Sequence, residues 1–134
     1  MIQKLTIATI YCTDQQAARD FYVDTLGLEV RSDAESGGVR WILVGPKEQP
    51  DISVMLVAPG PPLSAESADA LERLVSAGGW NPLTFAVDDC RATISDLQGR
   101  GVEIVHEPTE QPFGVEALIR DPAGNTLALI EYRR

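Results

Sequence analysis

Few side chains in this sequence are equipped for chemistry, and their scarcity limits what they can do together. His106 is the only histidine, whereas a divalent metal site needs three or four N, S or O donors brought to one point. The nearest donor to it in sequence is Glu107, which a strand would send to the opposite face. His106 is therefore either one member of a site completed by distant residues or a strand-edge histidine in water. General acid-base chemistry needs a titratable group inside a cleft, and Tyr11, Arg40, Glu116 and Arg120 are the strand-borne residues of that kind. For Arg40 and Glu116 the alternative is an ordinary solvated strand residue. No Ser-His-Asp set, no paired carboxylates and no Gly-rich phosphate cradle is present, and "GRG" at 99–101 is a helix stop. Cys12 and Cys90, each in or beside an apolar pattern, read as buried thiols rather than a disulfide.

The elements that must position these residues follow from local pattern. "KLTIATIYC" (4–12) is β-branched and aromatic, hence a strand. Residues 13–27 form an amphipathic helix capped by Thr13 or Asp14, with Ala18, Phe21, Tyr22 and Leu26 inward and Gly27 at its end. "LEVRSDAE", "VRWILVG" and "DISVMLVAP" then read as three strands, joined through the Gly37-Gly38 turn and the loop "PKEQP". A helix over 64–79, capped by Ser64 and stopped at Gly78, links this unit to the rest and covers core through Ala68, Leu71, Leu74 and Val75. The order then repeats: "PLTFAV" as strand, 88–101 as helix with Cys90, Ile94 and Leu97 inward, and "VEIVHEP", "FGVEALIRD" and "NTLALIEY" as strands. Asp14 falls on Asp89 at an offset of 75 residues, and "LGLEV" falls on "RGVEI" at 74. An offset that holds through five elements marks a duplicated unit. The expected class is α+β, a single domain of two βαβββ modules (1–62 and 81–134) with a linking segment at 63–80.

Bulk composition narrows the partners. The 134 residues carry a formal charge of -9, so no basic face is available for phosphate backbones and nucleic acid is not an expected partner. The acidic surface suits cationic guests. The first residues, "MIQKLTIATIYCTD", do not read as a signal peptide, and no apolar run approaches the roughly 20 residues that span a bilayer. A cytoplasmic protein with no membrane partner is expected.

Three stretches carry a family resemblance: "CTDQQAARDFYVDTLGLEV", "FAVDDCRATISDLQGRGVEI" and "EPTEQPFGVEALIRDPAGNTLALIE". With the tandem βαβββ order, they resemble the vicinal oxygen chelate superfamily, which includes glyoxalase I, extradiol dioxygenases, fosfomycin-modifying enzymes and bleomycin resistance proteins. The resemblance implies that each module curls a mixed sheet into half a barrel. Two modules, from one chain or from paired chains, then enclose a cleft. It also implies, for the enzymes, a divalent metal held by His, Gln or Glu on the first and last strands of the modules. The corresponding positions here are Ile7, Met55, Pro82 and Ala128. A thioether is a poor ligand for such ions and the other three side chains have no donor. A slip of one residue reaches only Ala8, Val54, Leu56, Leu83 and Leu127. No metal and no other cofactor is expected.

Without a metal, the lining of the cleft decides the function. Period-two alternation groups Ile7, Thr9 and Tyr11 on one face, and likewise Ser53, Met55 and Val57; Pro82, Thr84 and Ala86; and Thr126, Ala128 and Ile130. Such a surface is apolar with a few hydroxyls and suits flat or greasy organic molecules. Trp41, mid-strand, and Phe113, at the start of the seventh strand, could sandwich a planar guest; the alternatives are a core tryptophan and a corner plug. Trp80, beside the linking helix, reads as core. The expected ligand-binding residues are Ile7, Thr9, Tyr11, Trp41, Met55, Val57, Pro82, Thr84, Phe113, Glu116 and Ala128, with no catalytic residue assigned. The expected function is metal-independent binding of a drug-like or natural-product molecule, of the bleomycin resistance type, by a homodimer. The alternatives are a lyase, isomerase or dioxygenase-like enzyme acting on a small oxygenated substrate, and a module whose sheets serve dimerisation.

Overall fold

The computed structural model describes residues 1–134, which divide into two compact units, Met1–Glu72 and Arg73–Arg134. In the first unit, β1 (Ile7–Tyr11), β2 (Glu29–Ser36), β3 (Val39–Gly45) and β4 (Ser53–Val57) form one sheet in the order β1-β4-β3-β2. In the second, β5 (Leu83–Ala86), β6 (Glu103–Gln111), β7 (Gly114–Arg120) and β8 (Thr126–Tyr132) form another, in the order β5-β8-β7-β6. Each sheet has one parallel pair, β1 with β4 and β5 with β8, and is otherwise antiparallel. The α+β class, the βαβββ order and its duplication are as the sequence led us to expect.

The helices start alike in both units. Asp14 accepts a hydrogen bond from the Ala17 amide at 3.0 Å, and Asp89 accepts one from the Ala92 amide at 3.0 Å, so α1 (Gln15–Asp20) and α3 (Cys90–Gly99) are both capped by aspartate. The first helix differs from expectation: it runs α only to Asp20 and continues as a π turn over Phe21–Thr25. The wider turn seats two consecutive aromatic rings, Phe21 and Tyr22, in the core, edge to face with centroids 5.3 Å apart. The linking helix α2 (Ala65–Ser76) begins where Ser64 Oγ accepts from the Ser67 amide at 3.1 Å. No helix is long and apolar enough to cross a membrane.

Helix α1 packs on one face of the first sheet and α3 on one face of the second. Ile10, Ile42, Val44 and Leu56 are buried in the first unit, and Ala117, Ile119, Leu127 and Leu129 in the second; each large aliphatic among them contributes about 2 kcal/mol by leaving water. Polar stitches fix helix to sheet. Gln15 Nε2 donates to the carbonyls of Arg40 at 2.9 Å and Leu56 at 3.0 Å, and Glu131 Oε1 accepts from the Cys90 amide at 2.9 Å. The Arg31 guanidinium donates to the carbonyls of Pro46 at 2.6 Å, Gln49 at 3.0 Å and Ile52, which ties down the loop between β3 and β4.

The turn between β7 and β8 is organised by one buried carboxylate. Asp121 Oδ1 accepts from the amides of Ala123, Gly124 and Asn125 at 3.0, 3.0 and 2.9 Å, while Oδ2 accepts from Asn125 Nδ2 at 2.9 Å. Gly124 has φ 109 and lies against the end of α2, where an added Cβ would stand 2.5 Å from the Val75 carbonyl oxygen. No other residue fits that conformation at that distance. Replacing Asp121 by alanine leaves several buried amides without an acceptor, and we expect Asp121→Ala to lower the unfolding free energy by about 3 kcal/mol. Urea denaturation measures it; a loss below about 1 kcal/mol would refute the role.

Cys12 and Cys90 are free and buried, with their thiols directed at the carbonyls of Val57 and Leu129 at 3.6 and 3.7 Å. Burial, reinforced by the nearby Glu131 charge, pushes the Cys90 thiol up from its ordinary range and suppresses the nucleophilic thiolate. Ellman's reagent is expected to react with neither thiol in native protein at neutral pH and with both after denaturation.

Candidate binding faces and family membership

The face of each sheet turned away from its helix carries most of the residues picked out by type and spacing. On the first sheet, register sets Ile7 beside Ser53, Tyr11 beside Val57, Trp41 beside Ala34, and Thr9, Met55, Leu43 and Ser32 in one row. The burial pattern agrees: Ile10, Ile42, Val54 and Leu56 are buried on the helix side, while Ile7 is 43% and Trp41 45% exposed on the other. Ile7, Thr9, Tyr11, Trp41, Met55 and Val57 thus share one face, and none of them carries a formal charge. Arg40 does not join them. Its guanidinium holds Asp33 through paired bonds of 2.9 and 2.8 Å and donates to Gln16 Oε1 of α1 at 2.9 Å, on the helix side. This hydrogen-bonded pairing holds the Asp33 carboxyl below the usual range and raises Arg40 further. Arg40 is therefore a structural ion-pair residue and not an acid or base on the open face.

The second sheet presents a more polar version of the same face. Thr84, Ala128, Leu118 and His106 form one row, and Ala86, Ile130, Glu116 and Thr109 the next. Pro82 stands just before β5 begins at Leu83. Phe113 does not begin the seventh strand. It sits with Pro112 in the turn between β6 and β7, 43% exposed, with its carbonyl accepting from the Arg133 amide at 3.0 Å. Trp80, read as core, is 41% exposed, and its carbonyl accepts from the Thr126 amide at 2.9 Å. Arg120 lies at the far end of the face, 3.7 Å from Glu103, with its guanidinium packed over Gly78. An open groove of about 750 Å³ at the opposite end is lined by Ala86, Val87, Asp88, Glu131, Tyr132, Arg133 and Arg134.

The four positions where the resemblance implies metal ligands do not fit a divalent ion. Ala128 faces Thr84, Met55 faces Thr9, Ile7 faces Ser53, and Pro82 has no donor. Nowhere in the chain do three His, Cys, Asp or Glu side chains gather. His106 is instead an exposed strand residue whose Nδ1 lies 3.0 Å from the Glu107 carbonyl and 3.4 Å from Thr109 Oγ1. His106 is thus the water-exposed, edge-strand histidine that the sequence allows, and it stands on the same face as Glu116. Its place was hidden by register shifts on both sides of it, between Ile104 and His106 and between His106 and Thr109. Leu43 and Leu118 were also missed as face residues, although each follows from period-two counting from Trp41 and Glu116.

Comparison with known proteins agrees with this architecture throughout the chain. The crystal structure of UcmS2 superposes with a TM-score of 0.92 at 37% identity, covering 98% of this chain and 99% of that one. TnmS3, an antibiotic binding protein from Streptomyces sp. CB03234, superposes with a TM-score of 0.79 at 30% identity over 98% of each chain. YurT of Bacillus subtilis (strain 168) is 27% identical over 129 residues, 96% of this chain and 98% of its own. The family model for the Glyoxalase/Bleomycin resistance protein/Dioxygenase superfamily matches residues 4–129, which include both βαβββ units almost in full. By that match and by its duplicated fold, the chain belongs to the glyoxalase/bleomycin resistance protein/dioxygenase superfamily.

Proposed function

We propose that the protein is a metal-independent small-molecule-binding protein that sequesters a drug-like or natural-product ligand on the helix-free faces of its sheets. The observation that carries this reading is the first of those faces: Ile7, Tyr11, Trp41, Met55 and Val57 together, with a half-exposed indole and no metal donor among them. Such a surface binds through burial and stacking, and its hydroxyls at Thr9 and Ser53 supply orientation. The description of TnmS3 as an antibiotic binding protein, at 30% identity over nearly the whole chain, supports the same reading. In this proposal the two modules act as one domain, the protein is a cytoplasmic homodimer, and the ligand is released unchanged. The competing reading is a lyase, isomerase or dioxygenase-like enzyme acting on a small oxygenated substrate; it finds its only uncommitted carboxylate on these faces in Glu116.

Isothermal titration against a panel of aromatic antibiotics tests the proposal. At least one should bind, EDTA should leave its affinity unchanged, and mass spectrometry should recover it unaltered after incubation. Trp41→Ala should weaken binding about tenfold, in line with about 1.4 kcal/mol of lost stacking and burial. Turnover of the ligand, or loss of binding on chelation, would favour the enzyme.

A further inference from the structure

Three carboxylates within the strands are half-buried: Glu29, Glu116 and Glu131. Glu29 has Arg31 at 3.4 Å, and Glu131 caps the Cys90 amide at 2.9 Å. Glu116 has neither a hydrogen bond nor an ion pair with any group of the chain. Its row neighbours are Thr109 and Ile130, and Thr109 Oγ1 is committed to the Glu107 carbonyl at 2.9 Å. Ile130 is buried, so one side of the carboxylate rests on apolar surface. The cation of the same face, Arg120, is four residues along β7, roughly 13 Å at strand rise, and is engaged with Glu103. A half-buried carboxylate with no hydrogen-bond or ion-pair partner in the chain is open to one from a ligand.

A second acceptor stands one row away. His106 Nδ1 lies 3.0 Å from the Glu107 carbonyl, and the neutral tautomer that donates there leaves Nε2, which has no partner in the chain, as an acceptor. Thr84, Gln111 and Tyr132 on this face can each donate or accept. The groups of fixed polarity near its centre are thus both acceptors.

We propose that Glu116 is the specificity-determining residue of the helix-free face of the second sheet and selects ligands bearing a protonated amine or comparable N–H donor, with His106 Nε2 as a second acceptor. The proposal rests on the reading of these faces as a small-molecule site. It also assigns a cause to the charge preference that would be distinct from the overall charge of -9, which a single Glu to Gln change barely alters.

Three tricyclic probes of one shape and different charge test it at slightly alkaline pH: 9-aminoacridine as cation, acridine as neutral ring, and acridine-9-carboxylate as anion. Wild-type protein should bind 9-aminoacridine about tenfold more tightly than acridine and the carboxylate more weakly still, as one close ion pair at a protein surface gives. Glu116→Gln should reduce the cation's advantage to less than about twofold while leaving acridine affinity within that range. Added salt should weaken the cation's binding to wild type and leave acridine's unchanged, a measurement that stands even where the variant folds poorly. Equal binding of the three probes, or a preference retained in Glu116→Gln, overturns the role of Glu116 and leaves the binding reading standing. Failure of wild type to bind any of the three overturns the role of Glu116, and failure against the antibiotic panel as well overturns the binding reading.

Discussion

A single helix is too narrow to cover both faces of a sheet. Four strands span roughly 19 Å across, and one helix with its side chains is about 10 Å thick and lies on one side only. In each unit, α1 or α3 takes one face and builds the core with it. Everything about the opposite face follows. Its side chains are set by the alternation of the strands, its polar character is free to vary, and its aromatic groups remain half-exposed. The stitches from Gln15 and Glu131 matter for this reason, since they keep each helix on its own side.

Duplication gave the two sheets the same frame and left their open faces chemically distinct. Equivalent parallel pairs, β1 with β4 and β5 with β8, hold equivalent rows of side chains. The first sheet fills those rows with Ile7, Tyr11, Trp41, Met55 and Val57, and the second with Thr84, Glu116, His106 and Ala128. The positions that would carry metal donors in related enzymes hold aliphatic or small residues in both.

Much of this was legible in the residues themselves. Aspartate caps, glycine stops and a repeating order of elements gave the fold, because each depends on short-range chemistry. The first, fourth, fifth and eighth strands could be divided into two faces, since their polar and apolar residues alternate or their registers are fixed by adjacent turns. Arg40 was not legible. "VRWILVG" is apolar on both faces, so parity alone could not place it, and its partner Asp33 comes from a bulged strand whose count shifts between Val30 and Ser32. Phe113 was misplaced for a related reason. The polar residues "TEQ" that follow "VEIVHEP" read as loop, yet β6 absorbs them through bulges and runs on to Gln111, leaving Pro112 and Phe113 as the turn. The π turn after Asp20 has no sequence signal beyond the adjacent pair Phe21 and Tyr22.

The strand orders β1-β4-β3-β2 and β5-β8-β7-β6 bear also on how the chain is made. In both sheets the strand synthesised last, β4 or β8, lies in the interior and pairs with strands on both sides. A nascent unit therefore has two separated pieces, a lone first strand with its helix and a later hairpin, and neither sheet exists until the final strand slots between them. The first unit reaches that point at Val57, well before the second, whose centre is supplied only by Thr126–Tyr132. On the ribosome the N-terminal sheet can close while the C-terminal one still waits for its middle strand, and in each unit apolar strand edges lie open until that strand arrives.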